Sequence, residues 1–172
     1  MALNKVIFLM GVSGVGKSTI AASLSKKLSI PFFDGDDFHS KENILKMSRG
    51  VPLTDEDRND WLHTLNNLAK KQAETNDCII VCSALKQKYR TILSDGLEAN
   101  IAWVLLSGEY NLIIDRMKHR SNHFMPSALL RSQLSILEIP TNALIVDINL
   151  PPSIIVEKIA AYVFEEPSQN VS

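Results

Sequence analysis

A chain of 172 residues, 45% hydrophobic and 22% charged, has the length and composition of one soluble globular domain with a core of ordinary size. Its net charge of −1 excludes the basic surplus of a general nucleic-acid binder, though not a local basic site for a small anion. Apolar runs stop at five or six residues, far short of a membrane span, and the N-terminus enters the first predicted strand with no signal-peptide pattern, so a cytoplasmic location with no membrane partner is expected.

The first element is a strand at 5–10, where Val6-Ile7-Phe8-Leu9-Met10 is apolar without interruption, as in a strand buried on both faces of a parallel sheet. It runs into Gly11-Val12-Ser13-Gly14-Val15-Gly16-Lys17-Ser18, followed by Thr19, which fits the phosphate-loop pattern G-x-x-x-x-G-K-[ST]. Glycines let successive N–H groups turn inward around an anion. Lys17 can reach the β- and γ-phosphates, and the Ser18 hydroxyl can ligate the Mg²⁺ that bridges them. Ile20, Ala21, Leu24 and Leu28 then mark one face of a helix whose positive end points at the phosphates. Strand, glycine loop and helix together predict a bound nucleoside triphosphate.

A second strand at 31–34 ends in Asp34-Gly35-Asp36-Asp37-Phe38-His39. Three carboxylates and a histidine are costly to crowd together without a cation or a donor-rich substrate. The spacing suits Asp34 near a metal and Asp36 near an acceptor hydroxyl, whose proton it can take; the alternative is a solvated loop capping a helix around 40–49. Lys46, Arg49 and Arg58 follow around Gly50-Val51-Pro52-Leu53, placed either to hold a substrate carboxylate or to pair with Asp55, Glu56 and Asp57. Thr54, with Asp57 three residues on, signals the start of a helix carrying Trp61, Leu65, Leu68 and Ala69 on one face.

The third strand, 78–82, contains Cys78 and Cys82, about 13 Å apart along a strand and so beyond the roughly 7 Å a disulfide spans. Both are expected to be free buried thiols. Ser83 stands where many phosphate-loop proteins carry a second metal-binding acid, which leaves the metal-supporting carboxylate to the loop after the second strand. Lys86 and Arg90 share one face of the next helix. Strands at 101–106 and 144–148 complete five, alternating with helices as in a parallel α/β sheet. Between them, Arg116, Lys118, His119 and Arg120 precede Ser121-Asn122-His123-Phe124, read as a mobile lid over about 117–127 or as ordinary cationic helix capping. Pro126 suits the first turn of a helix with Leu130, Leu134 and Leu137, and Pro152 that of the last helix, with Ile155, Ile159 and Tyr162 or Val163 inward. Residues 1–172 read as a single domain with no repeat or linker, and the tail 166–172 as a frayed end.

Taken together these segments resemble the gluconate kinases (gluconokinases) among the small phosphate-loop kinases, over about residues 5–165. Beyond the phosphate loop, the resemblance rests on Asp34-Gly-Asp-Asp-Phe-His39, Asn43-Ile-Leu-Lys-Met47, Gly50-Val-Pro-Leu53, Asp57-Arg58 and Trp61-Leu62. It continues through Val81-Cys-Ser-Ala-Leu-Lys86, Tyr89-Arg90, His123-Phe-Met125 and Gln133 to Glu138-Ile-Pro140. It implies ATP-dependent phosphorylation of D-gluconate on its 6-hydroxyl with Mg²⁺. It also implies a nucleoside-monophosphate-kinase-like three-layer fold with a five-stranded parallel sheet and a lid, and often a homodimer.

By motif, Gly11 to Thr19 would hold the ATP phosphates with Lys17 catalytic. Asp36 would face the acceptor, Asp34 would support Mg²⁺ through water beside Ser18, and Arg116 and Arg120 would sit near adenine and the phosphates. His39, Lys46, Arg49, Ser83, Lys86, Arg90 and His123 would join the two aspartates in the gluconate pocket. Two departures stand out: Asn122 replaces a lid glycine, and Asp60 replaces a proline before Trp61. The alternatives are a kinase of the same fold acting on shikimate, a nucleoside monophosphate or adenylylsulfate, or a regulatory nucleotide-binding module. Ser83-Ala84-Leu85 stands where shikimate kinases carry a triple-glycine turn.

Overall fold

The computed structural model describes residues 2–119 and 128–164. Five strands, β1 (Val6–Met10), β2 (Phe32–Asp34), β3 (Cys78–Val81), β4 (Ile101–Ser107) and β5 (Ala143–Asp147), form one sheet in the order β2-β3-β1-β4-β5. Every pairing is parallel, with Val6 aligned to Cys78 on one side and to Ile101 on the other. The central strand β1 is wholly buried, which explains its unbroken apolar sequence. Each strand lies within one or two residues of its predicted span.

The helices are α1 (Lys17–Leu28), α2 (Lys41–Ser48), α3 (Asp55–Ala73), α4 (Gln87–Ser94), α5 (Tyr110–Lys118), α6 (Ala128–Ile136) and α7 (Pro152–Phe164). Against the sheet, α1 pairs with α7 and α3 with α4. The start of α3 is fixed by a reciprocal capping box. The Asp57 N–H donates to Thr54 Oγ1 at 3.1 Å, and the Thr54 N–H donates to Asp57 Oδ2 at 2.8 Å. Trp61, Leu65 and Ala69 of this helix are buried as their spacing predicts, and enclosing a leucine such as Leu65 contributes about 2–3 kcal/mol. In α7, Pro152 occupies the first position, Val163 turns inward and Tyr162 stays 42% exposed. Both cysteines are free and buried. Among the described residues no helix is long and apolar enough to cross a membrane.

Candidate active site

Two clefts open beyond the carboxyl ends of the strands, where open parallel sheets gather their ligands. The phosphate loop separates them. Its glycines adopt φ values of 145° at Gly11, 85° at Gly14 and 94° at Gly16, and the backbone between β1 and α1 turns on these left-handed residues. Val12 and Val15 send their side chains into the core, so only their backbone is available to a ligand. Lys17 Nζ donates to the carbonyls of Gly11 and Val12, both at 2.9 Å. Its charge is thereby held over the loop that is to receive phosphates.

The first cleft joins this loop to the end of β2. Ser13, Gly14, Gly16, Lys17 and Ser18 line it on one side; Asp36, His39, Arg58 and Trp61 line it on the other, with Ser83 at the end of β3. Asp34 ties the halves together. Its Oδ2 accepts from Ser18 Oγ at 2.5 Å and its Oδ1 accepts from the Asp36 N–H at 3.0 Å. One carboxylate therefore serves the predicted metal corner and also caps the 3-10 turn Gly35–Phe38 that carries Asp36. The helix that follows is capped instead by Ser40, whose Oγ accepts the Asn43 N–H at 3.1 Å, so the aspartates are not needed to cap it. Among the described residues no group of three or more His, Cys, Asp or Glu could hold a metal by itself. The Ser18–Asp34 pair, a hydroxyl beside a carboxylate at a phosphate loop, does fit a Mg²⁺ held mainly by phosphate oxygens.

His39 stacks on Trp61 with ring centroids 4.1 Å apart and planes 15° from parallel. Burial, then the nearby Arg58 charge, lowers its pKa to about 4, so it faces the cleft as a neutral imidazole. Trp61 Nε1 donates to the Gly35 carbonyl at 2.7 Å and holds the aspartate loop from beneath. Arg58 is only 7% exposed. One of its terminal nitrogens donates to the Leu53 carbonyl at 2.6 Å and to Tyr89 Oη at 3.1 Å. Tyr89 in turn donates to Asp55, which also pairs with Lys86 and Lys88. The guanidinium, which lines the cleft, is thus oriented by buried bonds to Leu53 and Tyr89, backed by a more exposed cluster around Asp55.

Four residues expected in the acceptor pocket are not brought to it. Lys46 pairs with Asp57 at 2.6 Å, and Lys86 pairs with Asp55 at 3.1 Å. Arg49 is exposed at the C-cap of α2. Arg90 is 2% exposed and donates to the Ala84 carbonyl at 2.7 Å and the Glu138 carbonyl at 2.9 Å. It therefore stitches the segment after β3 to the chain after α6, and fixes Ala84 in a left-handed conformation at φ 47°. The physical reason is common to three of them: a carbonyl or carboxylate within reach engages the Lys46 and Lys86 ammonium groups and the terminal nitrogens of Arg90. Conversely, Arg58, the third cation of the Lys46–Arg49–Arg58 group, does line the cleft, as do Trp61 and Gln133, which the sequence marks as a core position and as motif residues without a role in the site. Their helical spacing gave no signal, because the wall of this cleft is the end of a core face.

The second cleft lies on the other side of the loop. Val15, Gly16, Thr19, Arg116 and Pro152 contribute to it, and an Arg116 guanidinium nitrogen donates to the Ile148 carbonyl at 2.8 Å. Its apolar floor of Ile20, Ile148 and Ile155 suits a flat base beside the loop that binds the phosphates. Arg120, His123 and most of the expected lid lie outside the described residues.

A phosphate loop at the centre of an all-parallel sheet in this order, flanked by two clefts, is the frame of a phosphate-loop kinase of small molecules. The profile of the shikimate kinase family matches residues 13–141. The thermosensitive gluconokinase of Escherichia coli K12 is 48% identical over 133 residues, 77% of this chain and 71% of that protein. A sugar kinase from Janibacter sp. HTCC2649 superposes with a TM-score of 0.87 at 40% identity, covering 93% of this chain and 94% of that one. A gluconokinase from Sinorhizobium meliloti 1021 gives a TM-score of 0.83 at 38% identity, with 95% and 93% covered. The chain belongs to the gluconokinase family.

Proposed function

We propose that the chain transfers the γ-phosphoryl group of ATP to the 6-hydroxyl of D-gluconate, giving 6-phospho-D-gluconate and ADP. The observation that carries this reading is the convergence of the phosphate loop, Asp36, His39 and Arg58 on one cleft, in a chain whose relatives are named gluconokinases. Gluconate presents a carboxylate at one end and the reacting hydroxyl at the other. Arg58, oriented by Leu53 and Tyr89, is the cation suited to the carboxylate, in place of Lys46, Arg49, Lys86 and Arg90. The neutral His39 imidazole and Ser83 suit the hydroxyls between, because each can donate or accept without a charge to neutralise.

In this assignment the backbone of Gly11 to Thr19 cradles the ATP phosphates, and adenine lies beside Arg116 and Pro152. As the acceptor oxygen bonds to the γ-phosphorus, the bond from that phosphorus to the ADP oxygen breaks, and the hydroxyl proton passes to Asp36. Lys17 follows the charge moving onto the β–γ bridge. Mg²⁺ belongs at Ser18, with Asp34 as its supporting carboxylate, where it would neutralise phosphate charge. Arg120 and His123 keep their motif assignments, to the phosphates and the acceptor. A cytoplasmic setting suits the two free thiols, which burial pushes up to about 12.

The profile match leaves shikimate as a second acceptor to be tested. Purified protein with Mg²⁺ and ATP is offered gluconate, shikimate, AMP or no acceptor while ADP is followed. Acceleration by gluconate alone is expected; acceleration by shikimate, or release independent of acceptor, contradicts the reading.

A further inference from the structure

Gln133 on α6 is buried, 8% exposed, yet lines the same cleft as Lys17, Ser18 and Asp36. Its Oε1 accepts the Ser13 N–H at 2.7 Å. A backbone N–H can be met only by the oxygen end of a carboxamide, so this bond fixes how the amide is turned. Oε1 is committed to the phosphate loop, and Nε2, turned away from Ser13, carries two hydrogens, so one can serve a protein partner while the other serves a ligand. Ser13 directly follows Gly11 and Val12, whose carbonyls hold Lys17 Nζ. Gln133 therefore stands where the nucleotide half of the cleft meets the acceptor half. What passes through that joint is the phosphoryl group, and catalysis of its transfer consists largely of placing donors on its three equatorial oxygens.

We propose that Gln133 is a further catalytic residue. Oε1 stays anchored on the Ser13 N–H while Nε2 donates to an oxygen of the phosphoryl group in transit. The amide adds a hydrogen bond without adding a fixed charge beside Lys17. This inference rests on the phosphotransfer reading above.

Gln133→Glu separates the two ends of the side chain. Glutamate keeps an oxygen for Ser13 and nearly the same volume, but it replaces the donor with a carboxylate oxygen facing the phosphate. Expected are a melting temperature close to wild type and a kcat lower by about 100-fold or more, the usual loss for one such donor. ADP affinity should stay within threefold, while affinity for a non-hydrolysable ATP analogue falls at least tenfold, because only the latter carries a γ-phosphoryl group. Gln133→Met, which removes both ends yet tolerates burial, gives a second reading of the same ratio and should also shift it toward ADP. Wild-type kcat in the glutamate variant, or an unchanged ratio of analogue to ADP affinity in either variant, overturns the proposal and leaves Gln133 as a loop anchor only. If instead the wild-type protein itself fails to phosphorylate gluconate, the functional reading has failed, and the affinity ratio still decides the role of Gln133.

Discussion

Gly35 joins Asp34 to Asp36, and its replacement by alanine tests how closely the aspartate loop is seated. A Cβ at this position would stand 2.4 Å from the Val81 carbonyl oxygen and 3.2 Å from Leu65 Cδ1. Carbon and oxygen rest at about 3.3 Å or more, so the loop must withdraw from β3 by roughly 0.9 Å. Neither obstacle yields cheaply: one is sheet backbone and the other a fully buried leucine. Withdrawal also stretches the 2.7 Å bond from Trp61 Nε1 to the Gly35 carbonyl. Overpacking of this kind costs about 1–3 kcal/mol, which for a chain of this size lowers the melting temperature by about 2–12 °C. The catalytic effect should be larger in proportion, because a misplacement near 1 Å can cost about 100-fold. Steady-state ADP release with gluconate should therefore show kcat reduced about 100-fold in Gly35→Ala, with the KM for ATP changed less than about threefold. A variant with kcat within threefold of wild type would refute the claim that Asp36 is positioned through this contact.

Three further outcomes are expected. Arg58→Met keeps the apolar stem but removes charge-assisted bonds worth about 1.5–3 kcal/mol, so the KM for gluconate should rise about 10–150-fold with little change for ATP; an equal rise for both substrates contradicts the assignment to the carboxylate. His39 has a folded pKa of about 4 against an ordinary 6.5, so the unfolded chain binds the proton first and stability falls as pH drops from 6.5 to 4. Urea unfolding of His39→Gln should lose that part of the pH dependence, whereas an identical slope in the variant argues against a buried neutral imidazole. Thr54→Ala removes one half of the capping box and should cost about 1 kcal/mol, or about 2–4 °C in melting temperature, with kcat unchanged.

The sequence made the frame of the site readable because local chemistry specifies it. Val6 to Met10 needs burial on both faces, the loop glycines need positive φ, and Thr54 with Asp57 needs only one turn of chain. Their partners are near neighbours or a continuous core. The acceptor wall is different. Whether a cation faces a ligand depends on which oxygen reaches it first, and those oxygens come from distant segments. Lys86 meets Asp55 across 31 residues, and Arg90 meets the Glu138 carbonyl across 48. Arg58, by contrast, is supported by Leu53 and Tyr89 with its charge still toward the cleft. Gln133 reaches Ser13 across 120 residues, a relation no spacing rule contains. Trp61 obeyed the helical period and was core by that rule; its role under the aspartate loop became visible only when Gly35 and His39 were set against it.

Every role assigned above depends on transfer of phosphate from ATP to gluconate within the cleft lined by Lys17, Asp36 and Arg58. Phosphorus-31 NMR of the protein with Mg²⁺, ATP and gluconate tests it most directly. The γ-phosphate signal should be replaced by a phosphomonoester coupled to the C6 protons of gluconate, in step with ADP, and Asp36→Asn should form no ester. Appearance of inorganic phosphate at the same rate with and without gluconate, and no ester, would contradict it.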